Sequence, residues 1–256
     1  MKPGRKGGTG SPPRGGPRGS GGTGSPPQGG PRGSGGTGSP PRRRGGLGGI
    51  LPPRQQGIAC VYKPVAGERP LWDFPVGTLA GREVAAYAVS RAAGWEVVPP
   101  TVMRDGPFGP GMCQLWIDHD PGVDLIALSR RTDHPGLRDM AVFDAVVNNA
   151  DRKIGHLLPV PGGHVYGCDH GVCFAEDYKL RTVLWQWRGK SLPGRAVEAL
   201  RRLSACFADG TLAAELAPLL TQREIKATKT RVEALLKHRV HPYPPADWPA
   251  VPWPPV

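Results

Sequence analysis

A chain of 256 residues with formal net charge +12, 38 Gly and 31 Pro averages two unlike segments. Residues 1–54 hold 10 of the 33 Lys and Arg, 20 of the 38 Gly and 11 of the 31 Pro, with neither an acid nor an aromatic, whereas the remaining 202 residues carry 23 bases against 21 acids. No run approaches the ~18 apolar residues of a membrane span and no apolar leader opens the chain, so no membrane span and a cytoplasmic protein are expected; five cysteines without such a leader argue against a disulfide framework.

The first 54 residues repeat a 14-residue unit, GGTGSPPRGGPRGS at 7–20 and GGTGSPPQGGPRGS at 21–34, with a partial copy from 35. The unit has no apolar face to stack and no glycine at every third position, which excludes a solenoid and collagen. Too little apolar area remains to offset chain entropy, so a disordered tail is expected. Its bases (Arg14, Arg18, Arg32 and Arg42 to Arg44) suit nonspecific contact with nucleic acid, and the tail is the one route to such a partner. No aromatic stands among them to stack bases, and a solubilising tail is the plainer reading. A translation start other than Met1 is a third.

Residues 58–63 (IACVYK) are β-prone and stop at Pro64. Ala80, Val84, Tyr87, Ala88 and Ala92 recur at helical spacing, which predicts a helix over 78–94 closed by Gly94 and carrying Glu83. WEVVPP (95–100) and MCQLWI (112–117) read as strands separated by the turn DGPFGPG. Leu137, Met140, Ala141, Phe143 and Val147 mark a second helix, followed by the loop NNADRKIGHLL (148–158) and a strand HVYGCDHG (164–171). Val197, Leu200, Leu203 and Phe207 mark a third helix. Thr221 with Glu224 forms a capping box before Ile225, Val232, Leu235 and Leu236, a fourth. The final PYPPADWPAVPWPPV can be neither helix nor central strand, and is expected to pack as extended chain on its own domain rather than to serve as a docking peptide.

Four polar groups stand at element ends in an order that phosphoryl transfer explains. They are a strand lysine (Lys63), a helix glutamate (Glu83), the loop Asp151-Arg152-Lys153-Ile154-Gly155-His156, and Asp169-His170-Gly171. In that chemistry a strand lysine, held by a helix carboxylate, binds nucleotide phosphates. A loop aspartate orients the attacking hydroxyl, and a residue five further on holds metal with a later D-x-G aspartate.

Residues 58–256 also resemble an actinobacterial family described as phosphatidylinositol 3-/4-kinase-like, more distantly related to HipA-type kinases. The resemblance rests on VYKPVAGERPLWDFP, GTLAGREVAAYA, VFDAVVNNADRKIGHLL and GCDHGVCF. It implies an α+β fold of the two-lobed, protein-kinase-like kind, with a β-rich nucleotide lobe over 55–120, a helical catalytic lobe over 121–240 and a Pro-rich extension over 241–256. It further implies ATP and Mg²⁺ or Mn²⁺ as cofactors and an unidentified hydroxyl acceptor (a lipid headgroup, a protein or a small molecule). Lys63 would contact phosphates and pair with Glu83. Asp151 would be catalytic with Lys153 beside it, Asp169 and His156 would hold metal, and Gln114, Leu115, Trp116 and Ile117 would line the adenine pocket.

Two departures stand out. His156 takes the place of a metal-binding asparagine, and an imidazole suits Mn²⁺ better than Mg²⁺. The glycine hairpin that covers phosphates is not recognisable before Lys63, leaving Gly45 to Gly57 as the segment in its place. Both motivate the rival reading of a nucleotide-binding pseudokinase with a regulatory role, and a nucleic-acid adaptor acting through the tail is the third. Singly, each residue has a plainer use. A strand-end lysine snorkels to water, Glu83 is a solvated carboxylate, Asp151 caps a turn, and His156 fills a core. Cys168 and Cys173 lack the further ligands of a zinc site and read as ordinary thiols. Lys179, Arg181, Arg188 and Lys190, interleaved with Trp185 and Trp187, either receive an anionic acceptor or flank packed rings.

Overall fold

The computed structural model describes residues 57–256. The expectations for the 1–54 tail, and for a lid from Gly45 up to Gly57, fall outside these residues save for Gly57 itself. The fold is mixed α+β, with six helices and two small antiparallel sheets among the described residues.

β1 (Cys60–Pro64) and β2 (Thr101–Gly106) flank β3 (Gly109–Leu115) in a three-stranded antiparallel sheet of order β1-β3-β2, and Lys63 lies opposite Met112. Hairpin β2–β3 turns on Pro107 and Phe108, with Gly109 at φ 89°, a conformation glycine adopts without a Cβ clash. The strand expected at 95–100 is absent, and the strand that pairs with β3 on this side, β2, begins at Thr101 instead. Pro99 and Pro100 offer no N–H for a ladder. The amides of Val97 and Val98 are already taken by the buried Ser90 hydroxyl, at 3.0 and 3.3 Å.

α1 (Leu79–Ala93) follows the expected apolar stripe and ends on Gly94 in the left-handed conformation at φ 68°. Thr78 makes no side-chain cap; the carboxylate of Glu68 accepts the amides of Leu79 and Ala80 instead, at 3.1 and 2.8 Å. α2 (Leu125–Ser129), which sequence periodicity did not reveal, is started by Asp124, whose side chain accepts from Ile126 and Ala127. α3 (Pro135–Val147) carries the expected apolar face. The second sheet is a short pair, β4 (Leu157–Pro159) with β5 (Val165–Gly167), so only three residues of the strand expected over 164–171 pair. α4 (Gly194–Ala208), α5 (Thr211–Leu216) and α6 (Gln222–His238) complete the fold, and Thr221 with Glu224 forms the capping box on α6.

One hydrophobic core joins α1 to α3, α4 and α6 through Val89, Phe143, Leu200, Leu203 and Val232, all buried. The boundary expected at residue 120 therefore does not separate two cores: α1, assigned to the first segment, is buried against helices of the second. The C-terminal segment packs on the same body, as expected. Its Pro255 carbonyl accepts the amide of Ile154 at 2.8 Å, and its Ala250 carbonyl accepts the Thr182 amide and the Trp185 indole at 3.1 and 2.7 Å. No helix among the described residues is long and apolar enough to cross a membrane.

Candidate active site

Lys63 projects from β1 toward the start of α1 and the loop after β5. Its ammonium donates to Glu83 Oε1 at 2.8 Å and to Asp169 Oδ1 at 2.9 Å. Burial opposes the charge on Lys63, yet the two carboxylates outweigh it and hold the amine above its ordinary range. Glu83 is 2 % exposed, and burial pushes its carboxyl up in spite of Lys63. Its second oxygen, Oε2, accepts the backbone amide of His170 at 2.9 Å, so one carboxylate fixes both the strand lysine and the Asp169 turn. Asp169 sits at φ 62°, in the left-handed region that aspartate and asparagine enter more readily than other residues with a side chain. Burial disfavours its charge, but Lys63 outweighs that and holds the carboxyl below the usual range.

These groups line a cavity of about 380 Å³, which Tyr62, Glu68, Leu79, Asp151 and Gly171 also line. Asp151 arrives from the loop after α3. Its carboxylate lies 3.2 Å from Lys153 Nζ and 3.4 Å from Arg181, and its amide donates to Asn149 Oδ1 at 2.9 Å. His156 Nε2 is 3.5 Å from Asp169 Oδ2, while its Nδ1 faces the Lys153 amide at 3.4 Å. Burial, then Arg152, hold this imidazole neutral by lowering its pKa. With Nδ1 accepting, the ring proton sits on Nε2 and points at Asp169.

Lys63, Glu83, Asp151 and Asp169, scattered over a hundred residues of sequence, thus share one hollow, with Lys153 and His156 each one contact behind it. Gln114 to Ile117 do not line it. The Gln114 side chain is buried and donates to Thr101 Oγ1 at 2.9 Å. The amides of Leu115 and Trp116 are bonded to the carbonyls of Pro100 and Ala59. Of the basic and aromatic residues after Asp169, Arg181 reaches Asp151, Trp187 is buried, and Lys179 is held by Asp73 at 3.0 Å between the rings of Trp72 and Trp248.

The supporting layer escaped sequence reasoning. Arg152, wholly buried, binds Asp144 on α3 through Nη2–Oδ1 at 2.8 Å and Nε–Oδ2 at 3.1 Å, and donates to the Cys168 carbonyl at 3.1 Å. It also donates to His170 Nε2 at 2.6 Å, which places the ring proton of His170 on Nδ1, 4.0 Å from Glu83 Oε2. Burial and then Arg152 press the pKa of His170 well down, so the ring is neutral. One signal was available: Asp144 interrupts the apolar run AVFDAVV, and a carboxylate on a core face demands a buried partner.

The arrangement offers an ammonium and an exposed aspartate oxygen on one wall, suited to a polyanion with a bound cation, and a second carboxylate on the same hollow. Among the described residues no group of three or more His, Cys, Asp or Glu converges on a metal-sized centre, and all five cysteines are free thiols. No family model matches the sequence. A search of curated proteins finds Protein Rv2133c of Mycobacterium tuberculosis (strain ATCC 25618 / H37Rv), 46 % identical over 231 residues that span 77 % of this chain and 82 % of the relative, a name that carries no activity. The chain belongs to the family of that mycobacterial protein.

Proposed function

We propose that this protein is an ATP- and divalent-metal-dependent phosphotransferase of the protein-kinase and phosphatidylinositol-kinase type, moving the γ-phosphoryl group to a hydroxyl acceptor. The observation that carries the reading is the double hold on Lys63, 2.8 Å from Glu83 and 2.9 Å from Asp169, on the wall of a cavity that Asp151 shares. A lysine kept charged at that point binds phosphate oxygens, and Glu83 fixes its direction. Asp151 would accept a hydrogen bond from the acceptor hydroxyl and aim it, and Lys153 would offset charge that develops on the transferred group.

Asp169 fits a divalent ion. Its side chain is 52 % exposed and its Oδ2 is bound by no strong donor. His156 fits as a second donor only in the tautomer that gives up the 3.4 Å contact with the Lys153 amide. One or two protein ligands completed by phosphate oxygens and water suit Mg²⁺. Such an ion would neutralise phosphate charge. Because the amides of Leu115 and Trp116 are already bonded, the adenine contacts expected at Gln114 to Ile117 are left out of this proposal.

The test is incubation of the full chain with γ-labelled ATP and Mg²⁺ or Mn²⁺, beside Asp169→Asn and Asp151→Asn. Transfer of label to protein, lipid or metabolite that falls by roughly a hundredfold or more in both variants supports the reading, since Asp151 would aim the acceptor and Asp169 would hold the metal. The orientation of His156 toward Asp169, proton first, favours one rival: a nucleotide-binding pseudokinase that regulates a partner. ATP binding without turnover, indifferent to Asp151→Asn, would establish that rival instead.

A further inference from the structure

One face of the three-stranded sheet carries two free thiols on neighbouring strands. Cys60 opens β1 and is exposed, and Cys113 lies half-buried on β3, next to Met112, which alternates to the buried face. In the β1–β3 register Cys60 stands opposite Leu115 and Tyr62 opposite Cys113, so the two cysteines are diagonal neighbours on one face. The Trp116 amide donates to the Ala59 carbonyl at 3.0 Å, which marks that pair as a bonded one. The alternation of an antiparallel ladder then puts Cys60 and Cys113 both at non-bonded positions between β1 and β3, where side chains approach more closely.

Arg104 shares that face. It stands opposite Gly111, so it is diagonal to Cys113 on the side away from Cys60. Burial, then the Cys60 thiol, push the Cys113 thiol up, and Arg104 draws it down, so both neighbours act on this sulfur. Diagonal neighbours stand roughly 7–8 Å apart, with their Cβ atoms closer, whereas a disulfide needs Cα atoms within about 6.8 Å. The remaining ångström or so falls to Cys60. Its amide and carbonyl point away from β3, on the free edge of the sheet, so the shift breaks none of its own ladder bonds.

We infer that Cys60 and Cys113 are a reversible redox pair, which a peroxide oxidises to a disulfide that staples β1 to β3. The Cys60 thiolate, the more accessible, attacks one peroxide oxygen. The O–O bond breaks, the departing hydroxide takes up a proton as water, and Cys60 is left as a sulfenic acid. The Cys113 thiolate, beside Arg104, then attacks the Cys60 sulfur, the S–O bond breaks, and a second water leaves. Two thiols are thereby oxidised and one peroxide is reduced. A disulfide at an exposed edge is of the labile kind that a small thiol reverses. Neither cysteine lines the cavity around Lys63, so the inference goes beyond phosphoryl transfer and stands independently of it, although the staple fastens the strand that bears Lys63.

The test treats the full chain with a slight molar excess of hydrogen peroxide, blocks the remaining thiols under denaturing conditions, and weighs the chain and its tryptic peptides. The chain is expected to lose two hydrogens, to keep three of its five thiols, and to yield one linked peptide pair that joins Cys60 to Cys113. Dithiothreitol should restore all five. Cys113→Ser is expected to stop at a Cys60 sulfenic acid that dimedone traps, and Cys206→Ser to behave as the unaltered chain. Mapping the linkage in the unaltered chain keeps the test decisive should either variant misfold. Five thiols left free, oxidation to sulfinic acid with no linked pair, a linkage through Cys168, Cys173 or Cys206, or an undiminished disulfide in Cys113→Ser would overturn the assignment.

Discussion

Replacing Asp144 with asparagine removes the negative charge from the most enclosed ion pair of the fold while keeping the shape of the side chain. Both partners of the Arg152–Asp144 pair have no exposed side-chain surface. Arg152 then holds a full positive charge against an amide, with the Cys168 carbonyl and neutral His170 as its other partners. Breaking a buried pair from one side costs about 3–5 kcal/mol, mostly the uncompensated charge left behind. At roughly 2–4 °C per kcal/mol for a folded body of this size, the melting temperature is expected to fall by about 10 °C. Urea unfolding followed by tryptophan fluorescence gives the free energy and calorimetry gives Tm. Asp133→Asn, which breaks the exposed Arg131–Asp133 pair, serves as the control and is expected to leave Tm unchanged within error. A loss in Asp144→Asn below about 1 kcal/mol would falsify the claim that an uncompensated buried charge is left behind, because that is the value of a surface pair.

Other expectations are open to measurement. The pKa of His241 is lowered from 6.5 to about 4 by burial and by Arg138, so the unfolded chain takes up that proton first. Stability is therefore intact above pH 6.5 and declines toward pH 4, by up to about 1.4 kcal/mol per pH unit for this group. His241→Gln should flatten that share of the profile, and parallel curves for the two proteins would refute the linkage. A Cβ at Gly111 would lie 2.5 Å from the Lys63 carbonyl and 2.7 Å from Pro64 Cα. Gly111→Ala should thus shift β1, destabilising the protein by about 1–3 kcal/mol and weakening any ligand held by Lys63; unchanged stability would contradict the close approach. Thr221→Ala should lower stability by about 1 kcal/mol through loss of the α6 cap, read by urea unfolding. Deleting residues 248–256 should speed hydrogen exchange at the amides of Ile154 and Thr182, whose acceptors lie in that segment; unaltered protection would show that the strap is dispensable.

Where one local signal decides, the sequence was readable. α6 announced itself through Thr221 and Glu224 and starts at Gln222, directly after that cap; α1 announced itself through its spacing and Gly94 and lies within a residue of the expected 78–94. The convergence of Lys63, Glu83, Asp151 and Asp169 was readable for a different reason: residue types in a fixed order constrain chemistry even where their distances are unknown. What escaped reading depends on groups distant in sequence. The strand expected at 95–100 lost its donors to Ser90 and to two prolines, and β2 formed further along. Arg152 looks like any surface base until its partner, eight residues back, is known to be buried. The adenine-pocket role of Gln114 to Ile117 rests on the family resemblance alone, and the amides of Leu115 and Trp116 are occupied by neighbouring segments.

The helix bearing Glu83 is walled in by α4 and α5 and shares its oily interior with α3 and α6. Swinging it outward to release Lys63 would drag several buried alanines and Val89 into water. If the pairing of lysine and glutamate is ever switched, the moving part must be the thin three-stranded flap and its hairpin tip at Phe108, which is 71 % exposed, pivoting on a stationary anvil.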